Sequence, residues 1–303
     1  MSSFPVAGVR VGHRTGDGTG VTVMLLPAGS IGAAELRGGA PATRELDVLD
    51  PARTVARVDA VVFSGGSAFG LATASGVMRY LAERGQGFPT AGGPVPIVPT
   101  ACIFDLVEMT GPASGEADGY EACVAAARDE SLATGRIGAG AGATVGKWQG
   151  RDHAVDGGLG VASTEVDGAC VAALAVVNAV GDVIAADGSV VAGSTAPPGT
   201  AAFAQPEPFE EERANTTLAV VVTDAVLDKA SCFVLAQAAH DGFARALRPA
   251  HTRFDGDVAI AVATGSRPAE PCANLDRIAL AAADVVAGAI RGACTGGDPA
   301  SSG

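Results

Sequence analysis

Four short stretches carry residues whose chemistry goes beyond packing. Asn215-Thr216-Thr217 stands where a long polar segment rich in Pro and Gly, 188–214, runs into the apolar stretch Leu218–Val222. The segment has no sustained apolar periodicity and reads as an exposed, mobile linker. A hydroxyl residue at such a junction can attack the carbonyl before it. The Thr216 hydroxyl would add to the Asn215 carbonyl, the peptide would become an ester, and water would release a new chain start. Its α-amine, with a pKa near ~8, can serve as base for its own hydroxyl. A plain domain linker is the commoner meaning of the same pattern, and the residues alone leave both readings open. Asp255-Gly256-Asp257 is either a turn into the apolar run Val258–Ala263 or a carboxylate pair able to orient an amine.

Lys147 closes the glycine-rich run Gly138–Gly146. Phosphate-loop spacing fails there, because Ala141 stands where glycine is needed and Trp148 where Ser or Thr is needed. What remains is a tight loop that brings backbone amides and Lys147 close to another group. Asn178 interrupts an apolar strand, where an unpaired amide would cost ~1–3 kcal/mol and so requires a partner. His13, His153, His240 and His251 show no paired spacing, and His240 falls inside an expected helix, where packing is the commoner role. The six cysteines stand singly, with no CxxC, which points to free thiols and away from zinc. Ser67 lies in Gly-Gly-Ser-Ala-Phe-Gly, not in the GxSxG of a nucleophile elbow.

The elements that must position these groups can be outlined. Strands are expected at 21–26, 59–63, 159–165, 169–178, 183–186, 215–222 and 258–263, and helices at 68–84, 120–132, 227–247 and 275–291. The middle strands follow one another without intervening helices, linked by turns at Asp167-Gly168 and Gly181-Asp182. That order predicts an α+β fold, a mixed or antiparallel sheet covered by helices. The tail 296–303 is polar and expected to be disordered.

Composition limits the partners. The 303 residues suffice for two average domains or one large one. With 48% apolar and 17% charged residues the chain is globular. A net charge of −13 argues against a basic nucleic-acid surface or a polybasic membrane anchor, and 4% aromatics leave few rings for base stacking. The most apolar stretch, 170–186, is broken by Asn178, Gly181 and Asp182. The start of the chain lacks the apolar core of a signal peptide. The expectation is a cytoplasmic protein with no nucleic-acid or membrane partner, no metal and no cofactor.

An ordered set of segments resembles one known family. They are Val11-Gly12-His13, Arg37–Pro41 with Thr43-Arg44-Glu45, Ser64–Leu71, Val95–Pro99 with Ile103–Leu106, Gly138–Lys147, Val176–Asp182, Asn215–Leu218, His240-Asp241-Gly242 and Phe254–Asp257. Together they span nearly the whole chain and resemble the self-processing L-aminopeptidase/D-esterase family, which includes β-peptidyl aminopeptidases and nylon-oligomer (6-aminohexanoate oligomer) hydrolases. The Asn-Thr junction followed by Asp-Gly-Asp is similar to the nylon-oligomer branch. The resemblance implies a single four-layered αββα domain over 1–303, cleaved into 1–215 and 216–303. It implies Thr216 as nucleophile, Asn178 as oxyanion donor, and Lys147, Asp255 and Asp257 as its catalytic neighbours. Phe104, Gly140 and Gly142 would bind substrate, Phe104 standing where some members carry tyrosine. A small peptide or amino-acid amide substrate and a homo-oligomer, a tetramer of processed units, are also implied. Ornithine acetyltransferases also self-cleave before a threonine, so acyl transfer is an alternative outcome of the same acyl-enzyme. A non-enzymatic protein that holds an anion in the glycine-rich loop is the other.

Overall fold

In Val258–Ala263 the residues alternate between large and small: Val258, Ile260 and Val262 fall on one face, and Ala259, Ala261 and Ala263 on the other. Successive strand residues point to opposite faces, so a strand apolar on both must be covered on both. The computed structural model describes residues 3–128, 132–203, 215–267 and 274–295, and it bears this out. The large residues of this strand, with Leu174, Val176, Leu218, Val220 and Val222, meet a second sheet through Met24, Val61, Phe63 and Ile103. The alanines, with Ala173, Ala175 and Ala219, lie under helices. Short side chains let those helices approach closely.

The first sheet has the order β1 (Arg10–Thr15), β2 (Gly20–Leu25), β5 (Ala60–Ser64), β8 (Thr100–Cys102), β4 (Ala42–Arg44). Helices α1 (Thr73–Ala82) and α2 (Glu116–Ala127) cover its outer face. The second has the order β11 (Gly158–Val166), β12 (Ala169–Asn178), β15 (Thr216–Thr223), β17 (Val258–Ala263), β3 (Ile31–Leu36). It is covered by α3 (Lys229–Ala246) and α4 (Leu275–Cys294). The result is a four-layered αββα sandwich. The second sheet is mixed: β15 runs antiparallel to β12 and parallel to β17. Short pairs complete the fold: β6 (Phe88–Thr90) with β7 (Gly93–Val95), β9 (Thr144–Val145) with β10 (Val155–Asp156), and β13 (Asp182–Ile184) between β14 (Val190–Ala192) and β16 (Leu247–Arg248). Among the described residues no helix is long and apolar enough to cross a membrane.

The local signals are physical. Asp167 and Gly168, at φ 50° and 70°, form the left-handed two-residue turn that joins β11 to β12. Asp228 caps α3 by accepting the Ser231 N–H at 2.8 Å, and Asn274 caps α4 by accepting from Asp276 N at 2.9 Å. Two expectations need correction. The helix expected from Ala68 opens as a 3-10 turn over Ser67–Ala72 and becomes α-helical only at Thr73. The stretch from Gly188 is not a bare linker: it contains β14, Ser194 N donates to Asp182 Oδ1 (2.8 Å), and Gln149 Nε2 donates to Thr200 O (2.8 Å). Those bonds involve main chain, so no apolar pattern announces them. The rest of the linker, 204–214, lies outside the described residues, as do Cys272 and the tail 296–303.

Each helical layer is seated on its sheet through a glycine. A Cβ at Gly12 would lie 2.2 Å from Ala122 O of α2, and one at Gly160 would lie 2.1 Å from Ala289 O of α4. Gly160→Ala should therefore destabilise the protein by about 1–3 kcal/mol, because backbone would have to move. Gly292, on α4 with nothing within 4 Å of its would-be Cβ, should tolerate alanine and gain up to about 1 kcal/mol of helix propensity. Urea unfolding of the two variants checks the opposite signs.

Candidate active site

The end of β12 and the start of β15 bring the site together. Asn178, the last residue of β12, pairs in register with Thr216, the first of β15. Both are buried. The Asn178 amide is fully oriented by its neighbours. Its Oδ1 accepts from Lys147 Nζ at 2.8 Å and from Thr144 N at 3.0 Å, and its Nδ2 donates to Phe104 O at 2.9 Å. A carbonyl can only accept and a main-chain N–H can only donate, so the amide cannot be turned over.

Lys147 is carried in by the glycine-rich loop. Its N–H donates to Val180 O at 2.8 Å, and its Nζ also reaches Asn178 O at 3.2 Å. Burial pushes the Lys147 pKa down to about 7, with Arg151 adding repulsion and Glu108, Asp255 and Asp105 opposing both. The loop's glycines face protein backbone. A Cβ on Gly140 would meet Leu159 N at 2.6 Å, and one on Gly142 would meet Gly18 O at 2.1 Å. Close packing accounts for both, while Phe104 meets the site through its main-chain carbonyl.

The two carboxylates arrive on the segment before β17. Asp255 Oδ1 accepts Val180 N at 3.2 Å, and its Oδ2 accepts from Thr252 N and Oγ1 at 3.0 and 2.6 Å. Burial, then the charge of Asp257, raises the Asp255 pKa to about 6. Asp257 Oδ1 accepts the Thr217 N–H at 2.7 Å. Among the described residues neither carboxylate hydrogen-bonds Thr216 itself. Between them, Gly256 donates its N–H to Asn215 O at 2.9 Å. The Thr216 hydroxyl donates to that same carbonyl oxygen. A Cβ on Gly256 would lie 2.7 Å from Thr216 Oγ1, so only glycine fits there without displacing the hydroxyl.

The structure thus brings together Lys147, Asn178, Asn215, Thr216, Asp255 and Asp257, with the Phe104 carbonyl beside them. The sequence reading missed several participants. Gly38 and Ala40 donate main-chain N–H groups to Asp257 O (3.3 Å) and Asp255 O (2.9 Å). Arg37–Pro41 appears among the matching segments, but nothing in its residue types marks that task. Arg151 forms an ion pair with Glu108, and each keeps one buried atom, Nη1 and Oε2, without a partner among the described residues. Among the described residues no three His, Cys, Asp or Glu side chains gather so as to hold a metal ion.

Solved structures share this four-layered αββα architecture. An L-aminopeptidase D-Ala-esterase/amidase from Ochrobactrum anthropi, described as a variant of the Ntn hydrolase fold, superposes with a TM-score of 0.71 at 22% identity, covering 95% of this chain and 84% of that one. A β-aminopeptidase from Burkholderia sp. gives 0.69 at 23% identity over the same shares. The chain belongs to Peptidase family S58, which it matches over residues 4–301. It is 44% identical over 295 residues to an uncharacterised aminopeptidase of Mycobacterium tuberculosis, covering 89% of this chain and 83% of that one. It is 30% identical over 279 residues to a 6-aminohexanoate-oligomer endohydrolase of Agromyces sp., covering 87% and 75%. The family makes it a hydrolase of amide bonds.

The depressed Lys147 pKa has a consequence for stability. Between about 7 and the ordinary lysine value of 10.5, the unfolded chain holds a proton that the folded chain does not. Folding stability should therefore rise with pH through that window and be flat in this respect below it. In Lys147→Met that rise should be missing. Urea unfolding of both proteins at pH 7 and pH 9 measures the difference.

Proposed function

We propose that the chain cuts itself between Asn215 and Thr216 and then hydrolyses peptide or amino-acid amide bonds with Thr216 as nucleophile. One observation carries this reading: the Thr216 hydroxyl lies against the Asn215 carbonyl, whose oxygen also accepts the Gly256 N–H. In the cleavage step Oγ1 adds to the Asn215 carbonyl carbon, and the charge that gathers on its oxygen faces the Gly256 donor. The C–N bond breaks, the Thr216 nitrogen takes a proton, and an ester forms. Water then splits the ester to leave an Asn215 carboxylate and a free Thr216 α-amine.

In turnover the same hydroxyl attacks the substrate carbonyl, with its own α-amine accepting the proton. Asn178, at the end of the partner strand, and Lys147, at the end of the glycine-rich loop, are the donors to the developing oxyanion. Asp257 holds the start of β15 through the Thr217 N–H, and Asp255 stands beside the Asn215–Thr216 junction. The likeness to aminopeptidases at 44% identity favours substrates with a free amino end, and the likeness to an oligomer endohydrolase at 30% makes 6-aminohexanoate amides the second class to try. A panel of α-, β- and ω-amino-acid amides on processed protein ranks them.

Purified protein should run as two fragments under denaturing conditions, and N-terminal sequencing of the smaller should read Thr-Thr-Leu-Ala-Val. Thr216→Ala should stay whole and inactive, and Thr216→Ser should keep part of both activities. Whole wild-type chains that turn over substrate would sink the reading. Asn178→Ala should lower kcat per folded molecule by roughly 10²–10³ if the amide donates to the oxyanion. If the amide only ties loops together, Tm should fall and kcat should hold.

A further inference from the structure

His251 lies outside the Asp-Gly-Asp motif, yet it contacts one of the two carboxylates twice. Its backbone is left-handed, at φ 55°, a region that costs most side chains energy and that histidine enters more readily than most. In that conformation its main-chain N–H and its Nδ1 both meet Asp257 Oδ2, at 3.1 and 2.8 Å. The other oxygen of Asp257 receives the Thr217 N–H at 2.7 Å. A continuous chain of hydrogen bonds therefore runs from the imidazole through the carboxylate to the residue that follows the nucleophile.

The surroundings of the ring are closed. It sits edge-on to His240 with centroids 4.8 Å apart and lies 5.4 Å from the Phe243 ring. Among the described residues Nε2 meets the His240 carbonyl, at 3.5 Å. His240, from α3, is kept neutral by burial, its pKa lowered to about 3, and its own Nε2 meets Glu35 O at 3.0 Å. Among the described residues the charged groups around this chain are Arg37 with its ion-pair partner Glu35 on the β3 side of His240, Asp255 on the far side of Gly256, and Lys147 beyond Asp255. His251 is 18% exposed and stands behind Asp257, so it acts through that carboxylate and not on substrate.

We propose that His251 is a positioning residue: through Asp257 it pins the start of β15 beside the nucleophile. Asp257 Oδ1 accepts the Thr217 N–H and Oδ2 accepts the His251 main-chain N–H, so the carboxylate serves as acceptor and the ring contact requires a proton on His251 Nδ1, the tautomer that free imidazole does not prefer.

The effect on turnover rests on Thr216 being the nucleophile; the tautomer does not. Imidazole ¹⁵N spectra of the wild-type protein should show a proton on His251 Nδ1, assigned by the signal that vanishes in His251→Asn. A bare Nδ1 with Nε2 protonated would overturn the proposal. Asparagine tolerates the left-handed backbone and can place an amide N–H where Nδ1 was. His251→Leu keeps bulk and has no donor. Losing the ring donor should loosen the start of β15, so kcat should fall about tenfold in His251→Leu with KM within about twofold. His251→Asn should restore most of the kcat. A folded His251→Leu with the wild-type kcat would overturn the proposal, as would equal losses of kcat in the two variants. Should His251→Leu fail to fold, the tautomer in wild-type protein decides. Activity retained by Thr216→Ala would defeat the assignment of the nucleophile and leave the tautomer result standing.

Discussion

A lysine ammonium buried between strands has to find acceptors, and the rest of the site is arranged around the ones Lys147 finds. Its Nζ bonds both the side chain and the main chain of Asn178. That contact joins the glycine-rich loop to the end of β12. Through Nδ2 of the same asparagine it also holds Phe104, which follows β8 of the other sheet. Asn178 in turn faces Thr216 across the β12–β15 pair. One residue pair thus joins both sheets and a loop at the point where the candidate nucleophile stands. The dense glycines of 138–146 follow from this: the loop must pass within contact distance of other backbone to carry Lys147 inward.

The charges nearby come in opposed sets. Arg151 lowers the Lys147 pKa and its ion-pair partner Glu108 raises it, so the pair adds little net field. The dominant influence on Lys147 is desolvation, and the same is true of Asp255. Burial moves the cation's pKa down and the carboxyl's up, and the two meet near neutrality. Two groups that would be fixed charges on a surface become groups able to exchange protons in the pH range where proteins work.

What the sequence made legible was what depends on residue type and short spacing. The strand at Val258–Ala263 was readable to the residue, because an apolar run bounded by a turn admits little else. Asn178 stood out as a polar residue in an apolar strand, and the Asn215-Thr216 junction stood out as a change of composition. Strands β1, with Arg-Val-Gly-His-Arg-Thr, and β3, with Ile-Gly-Ala-Ala-Glu-Leu, gave no such pattern, since their places are set by pairing with β2 and β17. His251 was noted only as a histidine without paired spacing, because a left-handed backbone and a contact with Asp257 are not announced by its residue type. Glu108 and Arg151 are 43 positions apart, and only the fold makes them neighbours.

The strand order of the second sheet carries a consequence for any cut at the Asn215–Thr216 bond. Of its five strands, β15 and β17 fall after that bond, while β11, β12 and β3 fall before it. The two later strands lie side by side, with β12 against one flank and β3 against the other. The C-terminal piece would thus be clasped on both edges by the N-terminal piece, with its own helices packed over the shared face. The two polypeptides would behave as one body: dilution could not part them, and separating them would mean tearing ladders of hydrogen bonds on both sides of the sheet's centre.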